Sequence, residues 1–153
     1  MDVLSESRAN WRIGISTTDA ANGGILQGGI LTPTTPNLQD VFQQAVQVGT
    51  DGNRNEQGLA AALQVLSVNP DFIRDSAELD IVFVSDEDDH SPAPVDEYVK
   101  NLATYAGNGK LYLHALVGDL PEGCASGTSA ADAGERYLAA AQATEGLTES
   151  ICA

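Results

Sequence analysis

The chain has 153 residues, 42% of them apolar, and carries seven Lys and Arg against 22 Asp and Glu, a formal net charge of −15. That length and apolar content suit one folded domain with its own core, residues 1–153, and exclude a disordered chain. The charge argues against nucleic acid, which needs a basic face, and against anionic membrane surfaces; it suits a soluble protein in a salty or calcium-containing medium and either favours cationic partners or serves only to keep the protein in solution.

No apolar run approaches the roughly 20 residues of a transmembrane span. The first residues, Met1 to Glu6, lack the basic and apolar regions of a signal peptide. Residues 2–9 read as the tail of a helix. Residues 11–18 alternate large apolar with small or polar side chains, a strand pattern. After an Asn- and Gly-rich loop, residues 24–31 form short apolar pieces broken by glycine, which predicts an antiparallel edge strand returning beside the first.

A Thr/Pro turn follows, and Asn37 then stands where it would cap a helix with Asp40 in its first turn. Leu38, Val41, Phe42, Ala45 and Val46 recur at helical spacing and predict one buried face. Residues 49–55 are a polar turn. A second helix, about 56–66, lines up Leu59, Leu63 and Leu66, and Asn69-Pro70 breaks it.

Ile81, Val82, Phe83 and Val84 are apolar at every position, the pattern of a strand covered on both faces. Asp86, Glu87, Asp88 and Asp89 follow at once. Carboxylates cannot stay in that core without water, cations or donors. The chain therefore leaves the sheet at the carboxyl end of a buried strand, where open α/β sheets bind ligands. A helix from Val95, with Tyr98, Val99, Leu102 and Ala103 inward, ends at residues 107–109. Residues 110–117 are a strand, and residues 118–127 a loop carrying Cys124. Ser129 with Asp132 resembles a capping box for an Ala-rich helix to about Thr144. Residues 147–152 begin a last short strand. Strands alternating with helices predict a mostly parallel α/β sheet.

Hard oxygen ligands in the acidic loop suit Mg²⁺ or Ca²⁺, although their spacing is not that of an EF-hand; the competing reading is a solvated loop that caps a helix. His90 and His114 have no companion at zinc spacing and read as structural. Ser85, His90 and Asp119 have no nucleophile elbow to support hydrolysis, and no phosphate-binding glycine loop appears. Cys124 and Cys152 both sit in loop-like sequence. A disulfide between them would stabilise by roughly 3–4 kcal/mol and imply an oxidising compartment; the alternative is two unpaired thiols.

Several stretches together resemble the von Willebrand factor type A domains, closest to the exported bacterial branch. They are Trp11 to Asp19, then Val48-Gly49-Thr50-Asp51-Gly52 with Glu56-Gln57-Gly58-Leu59, then Val82-Phe83-Val84-Ser85-Asp86-Glu87-Asp88-Asp89, and residues 133–138 through Ser150-Ile151-Cys152. The resemblance implies a Rossmann-like open sheet with helices on both faces and one antiparallel edge strand. It implies a non-enzymatic adhesion module that binds a protein or glycan through a divalent cation. It also implies an extracellular, periplasmic or cell-surface lipoprotein setting, with a signal peptide upstream.

Three loops build such a cation site. Asp86 matches the third loop. Thr50 or Asn55 stands for the second, and Asp88 and Asp89 would tune the charge. The first, Asp-x-Ser-x-Ser, is absent, so the chain is expected to begin inside the first helix of the domain, without the first central strand and without the final helix. Mg²⁺ or Ca²⁺ affinity should then be weak or absent. The other readings are a metal-dependent hydrolase using residues 86–90 and a purely structural surface domain.

Overall fold

The computed structural model describes residues 9–49 and 55–153. The helix expected over residues 2–9 lies outside them but for Ala9, and so does Thr50.

β1 (Ile13–Ile15) pairs antiparallel with β2 (Gln27–Leu31), as the alternation predicts. The register runs from Ile13 opposite Leu31 to Ile15 opposite Gln27, so β2 carries two more residues than its partner between the same pairs. Gly28 and Gly29 take up that excess at φ of 70° and 74°, a left-handed backbone that side chains disfavour. α1 (Leu38–Ala45) packs on this ribbon with Ala45 buried and Leu38, Val41 and Phe42 half-buried; Val46 faces water. Asn37 precedes the helix but makes no side-chain cap. Its own backbone is left-handed, at φ 49°, outside the extended conformation that aims a cap at the helix amides.

α2 (Gly58–Val68) stops where predicted, and a short 3-10 turn, Pro70–Phe72, follows it. β3 (Leu79–Val84) then pairs in parallel with β4 (Leu111–Val117), in unbroken register from Leu79 opposite Leu111 to Val84 opposite Leu116. Between them α3 (Val95–Ala106) carries the chain back. After β4 a small hairpin forms, β5 (Cys124–Ser126) with β6 (Ser129–Ala131). α4 (Glu135–Ala143) leads into β7 (Thr148–Ser150), parallel to β4. The strands make a parallel sheet in the order β3-β4-β7, separate from the β1–β2 ribbon.

One continuous core joins α2, α3 and α4 to one face of this parallel sheet. Leu59, Leu66, Tyr98, Leu102, Ala106, Tyr137, Ala140 and Ala141 meet Leu79, Phe83, Leu113, Ala115 and Val117. The Phe83 and Tyr137 rings stack with centroids 4.9 Å apart. Each fully buried Leu, such as Leu59, Leu102 or Leu113, is worth about 1.5–3 kcal/mol against exposure.

Four expectations need correction. The sheet is mixed α/β and parallel as predicted, but among the described residues its helices lie on one face. Val82 and Val84 are accordingly 60% and 54% exposed rather than covered on both sides. Period 2 turns Leu79, Ile81 and Phe83 toward the helices and their alternates away. Ala103 faces outward, while Ala106, one turn on from Leu102, is buried. Residues 118–127 are not all loop, and Ser129 lies in β6 rather than at a helix start; α4 begins only at Glu135. The hairpin wins because its ladder pairs Cys124 with Ala131 and Ser126 with Ser129 across the short Gly127-Thr128 turn, which takes Ser129 into a strand.

Cys124 and Cys152 form a disulfide across 28 positions, which ties the hairpin to the end of the chain. Close backbone approach fixes several glycines. A Cβ on Gly118 would lie 2.0 Å from the Asp132 carbonyl oxygen, and one on Gly146 would lie 1.7 Å from that of Leu113.

Candidate functional site

The carboxyl ends of β3 and β4 form an acidic rim. Ser85, 4% exposed, opens the loop after β3. Its backbone still belongs to the sheet, because its N–H donates to the Leu116 carbonyl. Its hydroxyl donates to the Glu56 carboxylate and also accepts from Glu87 N–H at 3.1 Å. The Glu56 carbonyl accepts from His90 N–H at 2.7 Å. Glu56, just before α2, is thereby tied to both ends of the acidic loop.

Asp89 is buried and held by four donors. Leu59 N–H (3.0 Å) and the Ser91 hydroxyl (2.7 Å) reach Oδ1, while Ser91 N–H (3.2 Å) and Arg136 Nε (3.0 Å) reach Oδ2. Arg136 also donates through Nη2 to the carbonyls of Ser91 and Ala93. A buried carboxylate is tolerable only with such a set of partners.

The same residues cap α2, whose preceding residue Gln57 supplies no side-chain cap. The Gly58 amide donates to the Tyr137 hydroxyl oxygen at 3.2 Å, Leu59 to Asp89, and Ala60 to Ser91 Oγ at 2.9 Å. With the Gln57 N–H donating to the Thr18 carbonyl at 2.9 Å, all four orphan amides of the helix start are met by tertiary partners, and the Asp89 charge suits the positive end of the helix dipole. Asp88 does the same for α4, since its Oδ1 accepts from Arg136 N–H at 2.9 Å. The capping role of the acidic loop is real, but it serves α2 and α4 rather than the helix that follows.

Tyr137 is fully buried. Burial first, and then the Asp89 charge, hold its hydroxyl protonated well above the ordinary phenol range. A Cβ on Gly58 would fall 2.4 Å from that hydroxyl, so glycine is required there for the ring to fit.

Asp86 differs from its neighbours. It is exposed, its carbonyl accepts from Asp132 N–H at 2.8 Å, and no described residue donates to its carboxylate. Asp132 is exposed beside it. Asp119, after β4, is exposed too and accepts from the Ser150 hydroxyl at 2.7 Å. Asn55 is exposed next to Glu56.

Among the described residues no group of three His, Cys, Asp or Glu side chains is placed to hold a metal ion. Asp88 and Asp89 are spent on helix amides and Arg136, and Glu56 on Ser85. The described donors therefore do not make a cation cradle on their own. Asp119 bonds Ser150 rather than completing a set with Ser85 and His90. His114 lies within β4. Its Nδ1 accepts from Leu147 N–H at 2.9 Å, so Nε2 carries the ring proton and donates to Asp80 at 3.1 Å.

Sequence reasoning missed Arg136, Asp132 and Tyr137. A single arginine opening an Ala-rich helix, in a chain with so few cations, was the available signal for the first. The other two had none, because their partners lie about 45 to 80 positions away. No family model, no curated protein and no solved structure matches the chain.

Proposed function

We propose that this chain is a non-enzymatic binding module of the von Willebrand factor type A kind, taking a protein or glycan partner at the acidic rim. The observation that carries this reading is the division of labour within residues 86–89. Asp88 and Asp89 are fixed into two helix starts, while Asp86 stands exposed with its carboxylate unbonded among the described residues, beside exposed Asp132. A loop held this firmly presents its remaining carboxylate with little conformational entropy left to lose on binding. The position, beyond the carboxyl ends of parallel strands, is the one at which α/β sheets recruit ligands. The motif stretches quoted above, in that order along the chain, support the family assignment.

A divalent cation in such a module would sit against Asp86, with Thr50 or Asn55 from the facing turn. With the other carboxylates committed, Mg²⁺ or Ca²⁺ binding by these 153 residues is expected to be weak or absent. Tight, stoichiometric Mg²⁺ uptake in calorimetry would refute that. The disulfide fits a secreted or extracellular protein, and no described helix is long and apolar enough to cross a membrane. Placement at a bacterial surface belongs to the proposal.

The test is selection of binders from a glycan array and a peptide display library, with the wild-type chain and Asp86→Asn compared with and without Mg²⁺. Binders lost with Asp86→Asn support the rim. Binders indifferent to Asp86 and Asp132 would remove it. Turnover on ester or phosphoester panels, abolished by Asp86→Asn, would replace a binding module with a hydrolase.

A further inference from the structure

A side chain stands in for a backbone acceptor at the root of β7. In the ladder between β4 and β7, Ile151 N–H donates to the Val117 carbonyl at 2.9 Å, and Ala115 N–H to the Leu147 carbonyl at 3.0 Å. The same register would send Leu147 N–H to the Leu113 carbonyl. It goes instead to His114 Nδ1, at 2.9 Å. The turn leading there is otherwise held by permanent partners. Leu113 N–H donates to Thr144 Oγ1 at 2.9 Å, and Gly146 N–H to the Ala141 carbonyl at 2.9 Å.

A carbonyl accepts at every pH. An imidazole accepts only while neutral, because both ring nitrogens carry protons in the cation. Protonated His114 would set Nδ1–H against Leu147 N–H, two donors whose nitrogens are 2.9 Å apart, and that contact must open. The other side of the ring behaves in the opposite way. Nε2 donates to Asp80 at 3.1 Å when neutral, and the cation would strengthen that bond into an ion pair.

The surroundings invite the proton. Asp80 reaches the ring from β3, and Glu149, paired with Leu116, shares its face from β7. On β4 itself the Tyr112 ring lies 6.3 Å away between centroids, with Lys110 over it at 5.9 Å, and Glu78 and Glu145 act on that lysine. The His114 side chain is 18% exposed, so solvent can supply the proton.

We propose that His114 is a proton-operated latch on β7. The neutral ring holds β3 through Asp80 and the root of β7 through Leu147. One proton taken from solvent at Nδ1 leaves it holding Asp80 alone and frees the Leu147 amide. The opening is local, because β7 stays attached by its ladder to β4 and by the disulfide at Cys152.

The experiment takes the ¹⁵N-labelled full chain from about pH 8 to pH 5, the range in which histidine changes charge. Ring ¹⁵N shifts read the tautomer and charge of His114. Amide exchange, corrected for its intrinsic pH dependence, reads the Leu147 bond. At the upper pH the ring should carry its proton on Nε2. As it becomes a cation, Leu147 protection should fall by about tenfold or more, while Ile151, bonded to a carbonyl, should keep its own. His114→Asn places an oxygen that does not titrate near the position of Nδ1 and retains His90 as the control; its Leu147 amide should be equally protected at both ends of the range.

Leu147 protection that persists with the ring shown to be protonated would overturn the proposal. So would a proton on Nδ1 at pH 8, a ring still neutral at pH 5, or the same loss of protection in His114→Asn.

Discussion

Asp86 and Asp89 are three positions apart and chemically identical, yet the fold gives them opposite roles. Asp89 accepts from two elements besides its own loop, α2 and α4, so its removal leaves Arg136 Nε and the Leu59 amide without their acceptor and the guanidinium without its counter-charge. Asp89→Ala should cost about 3–5 kcal/mol, the usual penalty for breaking one side of a buried pair. Asp86→Asn should stay within about 0.5 kcal/mol of wild type, as surface changes do. Urea titration of both variants checks the contrast, and similar losses would undo the division of labour on which the rim reading rests.

Tyr137 gives a second prediction at this scale, with a definite sign. Its hydroxyl ionises in the unfolded chain near the ordinary value of 10.0, but only well above it when folded. The stability this contributes is fully present below pH 10 and is lost as the pH rises past it, because the unfolded state sheds the proton first. Tyr137→Phe should flatten that alkaline fall. It should also lose the Gly58 bond, at about 1 kcal/mol near neutrality. Denaturant midpoints at pH 8 and pH 11 separate the two effects.

Among the elements, α2 and α4 show how a helix start can be completed from afar. Gln57 and Gly134, which precede them, make no side-chain cap. The local sequence therefore marks the α2 start only loosely, at about residue 56, and points to Ser129 for α4. Asp88→Ala should cost about 1 kcal/mol, the value of a helix cap, and the loss should appear as fraying at residues 135–137 in hydrogen exchange. An unchanged exchange rate there would show that the Arg136 amide has another partner. The extent of β3 was readable from its β-branched run, but the strand that pairs with it was not, because a strand's sequence does not say which neighbours flank it.

For the whole molecule, the disulfide joins the β5–β6 hairpin to the residues after β7. Closing a loop of that length restricts the unfolded chain by roughly 3–4 kcal/mol in the entropy model. Reduction, or Cys124→Ser with Cys152→Ser, should lower stability by about that amount, measured by thermal melting with and without reductant. A shift of under about 1 kcal/mol would show the constraint to be idle.

The sequence by itself determined the order and type of most elements, the helix break at Pro70, the parallel pairing of the two long strands and the placing of the acidic loop at their carboxyl end. These follow from periodicity and from the cost of burying charge, both local properties. Only the tertiary structure decided which carboxylate is spent and which is available, which sheet face the helices cover, and that the ribbon and the parallel sheet stand apart. Those outcomes depend on partners far away in the chain: Arg136 for Asp88 and Asp89, Glu56 for Ser85. No local pattern encodes which distant donor will arrive, because the hydrogen bond exists only once packing has brought the two segments together.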